Sequence, residues 1–147
     1  MSWVTTPQHG IGSGFGHDST AAEVLDGIDL SGKFCVVTGG YSGIGLEATR
    51  ALAAAGAAVM VPARRPAAAR EALAGIDGVQ VDALDLGDLA SVAAFAQRLL
   101  DAGRPVDIVI NSAGIMACPE TRVGDGWEAQ FATKPELSKP GLSKPEC

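Results

Sequence analysis

From Phe34 onward, short apolar runs alternate with segments whose apolar residues recur at helical spacing. Phe34–Thr38 (FCVVT) is an unbroken apolar run, the pattern of a strand covered on both faces. After Gly43, residues Ile44, Ala48, Leu52 and Ala55 share one helix face while Glu47 and Arg50 point elsewhere, and Gly56 stands where a helix would stop. Ala57–Val61 predicts a second strand, and Pro66–Ala74 a second helix with proline in its first turn. Val79–Val81 reads as a short third strand. Leu89, Val92, Ala93, Ala96, Leu99 and Leu100 form the apolar face of a third helix, which Pro105 stops before a fourth strand, Val106–Ile110. Residues 21–29 suggest one further short helix, and residues 119–132, through Trp127, Glu128 and Phe131, the start of another. Strand–helix alternation of this kind implies an α/β fold, a doubly wound parallel sheet with right-handed crossovers and helices on both faces.

The pattern is absent at both ends. Residues 1–30 read as a mobile N-terminal arm, rich in Gly, Ser, Thr and His over the first twenty positions. The arm contains GIGSGFG (Gly10–Gly16), but no strand leads into that segment, so it lacks the geometry of a phosphate loop. Residues 31–132 carry the alternation. After Ala132 alanine disappears, and Lys134, Lys139, Lys144, Pro135, Pro140 and Pro145 crowd into residues 133–147, where LSKP occurs twice. This aberrant Lys/Pro-rich tail has two readings: a proline-rich segment that docks on a partner, or a change of reading frame or truncation, which the abrupt shift in residue usage favours.

The 147 residues suffice for one domain or part of a larger one. A net charge of −6 argues against nucleic acid or an anionic membrane as partner. Cys35, Cys118 and Cys147 are odd in number and far apart, which predicts neither a disulfide framework nor a metal site, and Cys35 reads as a small buried hydrophobe. MSWVTTPQHG has no basic-then-apolar leader pattern, and no apolar stretch reaches the length of a membrane span, so the expected location is the cytoplasm.

The chemistry is concentrated in Thr38-Gly39-Gly40-Tyr41-Ser42-Gly43-Ile44-Gly45, a glycine loop between the first strand and the first long helix. Backbone N–H groups and the helix dipole there can hold a phosphate. Gly39 would supply the tight turn, Gly43 the close approach of a pyrophosphate, and Gly45 close packing of the helix on the sheet. About twenty residues on, where a site for NAD usually places an acid, the chain has Pro62-Ala63-Arg64-Arg65. A guanidinium there can grip the 2′-phosphate of NADP, whereas an acid would repel it. NADP is therefore the expected cofactor, with NAD disfavoured.

With Asp85-Leu86 after the third strand and Asn111-Ser112-Ala113-Gly114 after the fourth, these features resemble the short-chain dehydrogenase/reductase family over roughly residues 28–133. SGKFCVVTGGYSGIG, NSAGIM and DGWEAQFAT look most like its retinol-dehydrogenase-like branch. The resemblance implies a Rossmann-type sheet in the order 3-2-1-4, here incomplete because the second half is absent. It implies cofactor contacts from Thr38, Gly39, Tyr41, Ser42, Gly43, Ile44, Gly45, Arg64, Arg65, Asp85, Leu86, Asn111, Ala113 and Gly114, with Asp85 at the adenine ring; NSAG departs from the family's NNAG at Ser112. Asn111 could also bridge main-chain groups of adjacent strands, and Gly114 lets the chain pass near the cofactor.

The family transfers hydride between alcohols and carbonyls with a tyrosine acid/base and a lysine four residues later. The chain has no Tyr-x-x-x-Lys, and its single tyrosine, Tyr41, sits in the glycine loop. No catalytic residue carries over and no metal is expected. The expectation is an NADP-dependent oxidoreductase by family, present as a cofactor-binding portion inactive alone. The alternative is a non-catalytic module that binds a nucleotide or, through its Lys/Pro tail, a partner. The apolar fourth strand (residues 106–110), with no fifth strand beside it, invites association.

Overall fold

The computed structural model describes residues 9–116 and 119–133; Cys118, Cys147 and the tail 134–147 lie outside the described residues. Eleven elements follow one another: α1 (Ala21–Val24), β1 (Phe34–Thr38), α2 (Gly43–Ala54), β2 (Ala58–Ala63), α3 (Pro66–Ala72), β3 (Val79–Ala83), α4 (Leu89–Asp101), β4 (Ile108–Asn111), β5 (Arg122–Val123), β6 (Trp127–Glu128) and α5 (Ala129–Ala132). The first four strands form one parallel sheet in the order β3-β2-β1-β4.

The unbroken apolar run of β1 has its expected consequence, since all five residues are buried. Cys35 and Val37 face one side with Leu52, Val59, Val61 and Leu73, under α2 and α3. Phe34 and Val36 face the other side with Leu84 and Phe95, under α4. Burial pushes the Cys35 thiol above its usual range, with the nearby Asp107 carboxylate adding to the effect.

Local signals set the element ends. Gly56, at φ +93, closes α2 in a Schellman motif: the Ala57 amide donates to the Leu52 carbonyl and the Gly56 amide to that of Ala53. Strand β2 continues through Pro62, past the expected end at Val61. The register of β1 with β2 stops at Met60, and alternation points the proline nitrogen toward β1, where no ladder bond is lost.

Three expectations are corrected. The buried stripe of α4 centres on Phe95 with Val92 and Leu99, while Leu89 and Leu100 are exposed, because the helix is rotated so that the phenyl ring meets Phe34 and Val36. Ile44 is exposed, and the face α2 buries is Gly45, Thr49, Ala51 and Leu52. Residues 119–132 do not begin as a helix: β5 and β6 form an antiparallel hairpin around Gly124 (φ +53) and Gly126 (φ +93), and only the four residues of α5 are helical. The short helix expected within residues 21–29 is present as α1, fastened by a capping box of Thr20 and Glu23; Leu25 and Leu30 pack on the core, and the Leu30 amide donates to the Ala55 carbonyl.

Val106 precedes β4 and does not belong to it. Asp107 between them ties the starts of two strands: its carboxylate accepts from the Phe34 amide at 2.8 Å and from Lys33 Nζ at 2.9 Å. Those bonds, the backbone one foremost, hold its carboxyl below the ordinary carboxylate range. A depressed folded-state value means that the native state binds fewer protons than the unfolded one. This stabilisation is fully present above the unfolded value and is lost as pH falls through the folded one. In urea titrations carried from neutral pH down through the carboxylate range, Asp107→Asn should lower the midpoint at neutral pH and flatten its acid-side decline.

Candidate functional site

The carboxyl ends of β1 and β4 lie side by side with Thr38 opposite Asn111, at the point where the chain order of the sheet reverses. A cleft of about 340 Å³ opens there. Glycine shapes its floor. Gly39 has φ +68, and a methyl group on it would come within 2.9 Å of the Ala113 Cα. A methyl on Gly45 would run into the Gly39 carbonyl and stand 3.1 Å from Ser112 Oγ. The loop after β1 is thus in close backbone contact with both the start of α2 and the turn after β4, and neither Gly39 nor Gly45 has room for a side chain.

Gly40, to which the sequence pattern assigned no part, is equally constrained: a β-carbon there would lie 2.6 Å from Thr49 Oγ1 and 3.0 Å from the Val37 carbonyl. The adjacent glycines Gly39-Gly40 were its only sequence signal.

Gly43 differs, with φ +52 and open space where a side chain would be. Ser42 precedes it at the N-cap of α2, but its hydroxyl makes no capping bond. The first amides of a twelve-residue helix therefore have no side-chain acceptor and stand beside a bare glycine. Such a cradle suits a phosphate group.

Most of the expected residues meet at the cleft: Thr38, Gly39, Tyr41, Ser42, Ile44 and Gly45 from the loop, Arg64 from the end of β2, Asp85 and Leu86 after β3, and Ala113 and Gly114 after β4. Gly43, Arg65 and Asn111 are not among its lining residues. Arg65 is the N-cap residue of α3, and Asn111 is an exposed residue of β4 beside Thr38. The tie expected of Asn111 comes from Thr38, whose buried Oγ1 accepts from the Ala113 amide at 3.2 Å.

Asp85 is held in place locally: its Oδ1 accepts from the Gly87 amide and its own amide donates to Ser91 Oγ, both at 2.9 Å. Tyr41 lines the cleft and packs against the β1–β2 core.

Sequence reasoning passed over Thr133, which the hairpin and α5 carry to the cleft wall. The hairpin rests on the loop after β3, where a methyl on Gly124 would come within 2.8 Å of the Gly87 carbonyl. Glu128 caps α5 by accepting from the Phe131 amide at 3.0 Å, and backbone bonds of this kind hold its carboxyl below the usual range. No pattern in residues 119–133 signalled this contact, because it depends on a segment distant in sequence.

Among the described residues no group of histidine, cysteine and carboxylate side chains could hold a metal ion, and no helix is long and apolar enough to cross a membrane.

Known proteins share this arrangement. The sequence pattern of the short chain dehydrogenase family matches residues 33–134. The chain is 42% identical over 127 residues to the chloroplastic short-chain dehydrogenase TIC 32 B of Brassica napus, an alignment covering 82% of this chain and 40% of that protein. It is 49% identical over 113 residues to a Streptomyces antibioticus protein named "Probable oxidoreductase" (72% and 37% covered). Against mouse retinol dehydrogenase 12 it is 40% identical over 110 residues (71% and 35%).

Among solved structures, one from Mycobacterium paratuberculosis superposes with a TM-score of 0.68 at 39% identity, covering 78% of this chain and 41% of that one. A metagenomic short-chain oxidoreductase in complex with NADP gives 0.53 at 37% identity (58% and 40% covered). A Brucella melitensis 3-ketoacyl-(acyl-carrier-protein) reductase complexed with NADH gives 0.54 at 29% (76% and 41%). The chain thus spans about two fifths of the length of the relatives it matches. Four parallel strands in the order 3-2-1-4, a glycine loop that admits no side chain at its contact points and this similarity agree: the chain belongs to the short-chain dehydrogenase family of oxidoreductases.

Proposed function

We propose that this chain is the NADP-binding part of a short-chain oxidoreductase and does not turn over substrate by itself. The observation that carries the cofactor choice is Arg64, which lines the cleft at the end of β2 beside the glycine loop, with no acidic residue at that strand end. A guanidinium there offers paired donors to a 2′-phosphate and, being more weakly hydrated than an ammonium, gives up less water to hold it. The uncapped first turn of α2 and Gly43 suit the pyrophosphate. Asp85 and Leu86 line the cleft beyond the end of β3, the strand next to β2, where an adenine would lie.

NADP, when bound, supplies or accepts a hydride at its nicotinamide ring. The residues of this chain hold and orient the nucleotide. A phenolic acid/base at neutral pH needs neighbouring positive charge, and Tyr41, packed on the core within the loop, has no lysine four residues on.

Titration of the full chain with NADPH and NADH, followed by nucleotide fluorescence, tests this reading. NADPH should bind saturably and at least about tenfold tighter than NADH, a difference of ~1.4 kcal/mol, with no oxidation of NADPH by aldehydes or ketones. Equal affinities would remove the NADP preference, absence of binding by either would remove the nucleotide seat, and turnover would remove the inactivity.

A further inference from the structure

The face that α4 turns to the sheet also reaches the cleft. Ser91, Phe95 and Arg98 stand at positions i, i+4 and i+7 of the helix, one above another. Phe95 is buried with Phe34 and Val36 and so fixes how the helix is rotated. With the ring in place, the polar residues on either side of it meet the end of β3. Arg98 Nη2 donates to the Ala83 carbonyl at 2.7 Å and Arg98 Nε to Asp82 Oδ2 at 2.8 Å, while Asp82 Oδ1 accepts from the Ala83 amide at 2.7 Å. At the other end of the face, Ser91 Oγ accepts from the Asp85 amide at 2.9 Å.

That last bond falls on a residue whose other polar groups are nearly all committed. Asp85 Oδ1 accepts from the Gly87 amide at 2.9 Å, and the Asp85 carbonyl accepts from the Asp88 amide at 3.2 Å. Oδ2 is the one polar atom of Asp85 without a partner among the described residues, and Asp85 lines the cleft. The hairpin closes the far side of this turn, since a methyl on Gly87 would stand 3.2 Å from Val123 Cγ2. Held by α4 on one side and by the hairpin on the other, the turn gives the carboxylate a fixed direction.

We propose that Ser91 is a positioning residue for base recognition. By holding the Asp85 amide it aims Oδ2 at the exocyclic amino group of the adenine, and the site thereby selects a 6-aminopurine nucleotide. This rests on the reading of the cleft as the seat of NADP. A 6-aminopurine offers N–H donors at that ring edge, whereas a 6-oxopurine offers an oxygen, which a carboxylate repels. Ser91 acts only through the amide it holds. Without its hydroxyl the Asp85 amide loses its acceptor, and the carboxylate its direction.

Fluorescence titration of the full chain with NADPH, and with its hypoxanthine analogue in which an oxygen replaces the 6-amino group, tests the proposal. The wild type should favour NADPH about tenfold, the size expected of one hydrogen bond to a charged acceptor. Ser91→Ala should bind the analogue nearly as the wild type does and NADPH no better, so that the preference disappears. Ser91→Thr, which keeps an oxygen in place, should retain it. A merely structural role would weaken both nucleotides alike. Equal binding of the two by the wild type, equal weakening of both in Ser91→Ala (through unfolding included), a preference that survives in that variant, or its loss in Ser91→Thr would each overturn the proposal. Binding of neither nucleotide by the wild type would instead overturn the reading of the cleft, and the proposal with it.

Discussion

Gly45→Ala is expected to abolish nucleotide binding and to destabilise the sheet. An added methyl at this position meets the Gly39 carbonyl and carbonyl carbon, the latter at 2.9 Å. Both are backbone atoms, and Gly39 cannot retreat because Ala113 is packed against it from the other side. Relief would need α2 to lift from the end of β1, displacing the amides of its first turn. Overpacking a close contact costs about 1–3 kcal/mol, and here the strain falls on the phosphate cradle itself. The unfolding free energy from urea titration should drop by that amount, and NADPH fluorescence should show no saturation at concentrations that fill the wild type. Gly43→Ala, with open space around it, should be strained only by its φ of +52 and cost less stability. Equal loss of stability in the two variants would show that crowding at Gly45 is not the cause.

Arg64→Ala should weaken NADPH roughly tenfold, the ~1.5 kcal/mol expected at the low end for a hydrogen bond to a charged group. The lower end applies because the side chain is exposed to solvent and to salt screening. NADH lacks the 2′-phosphate and should bind as before, so the variant loses its preference, not its seat. Arg65→Ala should change little, because Arg65 stands at the N-cap of α3 outside the cleft lining. Calorimetric titration of both variants with both nucleotides checks this. A larger effect at Arg65 than at Arg64 would reverse the assignment of the two arginines.

The two arginines also mark what could be learned from sequence. PARR at the end of the second strand was visible as a motif, but adjacent residues in extended chain point opposite ways. Which of them enters the cleft depends on how β2 ends and α3 begins.

The glycine loop was more legible. A buried strand, a turn that needs positive φ and a helix start are local events, and TGGYSGIG specifies all three through residues adjacent in sequence. The continuous apolar run of β1 likewise announced a strand covered on both faces, and all five residues are buried. The strand order 3-2-1-4 was implied by the family resemblance, not by the alternation, and it is the order the sheet adopts.

Periodicity was less secure. The α4 stripe was displaced from Phe95, since the rotation of a helix about its axis is settled by the ring that fits against Phe34 and Val36 and not by a count of apolar residues. The hairpin at Gly124–Gly126 was missed because its turn holds the chain against Gly87, a contact between segments nearly forty residues apart.

Taken alone, the sequence determined the α/β alternation, the phosphate loop and the absence of a tyrosine–lysine pair, all of which are written in neighbouring residues. The tertiary structure decided which arginine faces the cleft, that Thr38 ties β1 to the turn after β4, and that Asp82 and Arg98 together occupy the peptide groups of Ala83 at the outer side of β3. Each of those outcomes depends on groups that only the folded sheet brings within bonding distance.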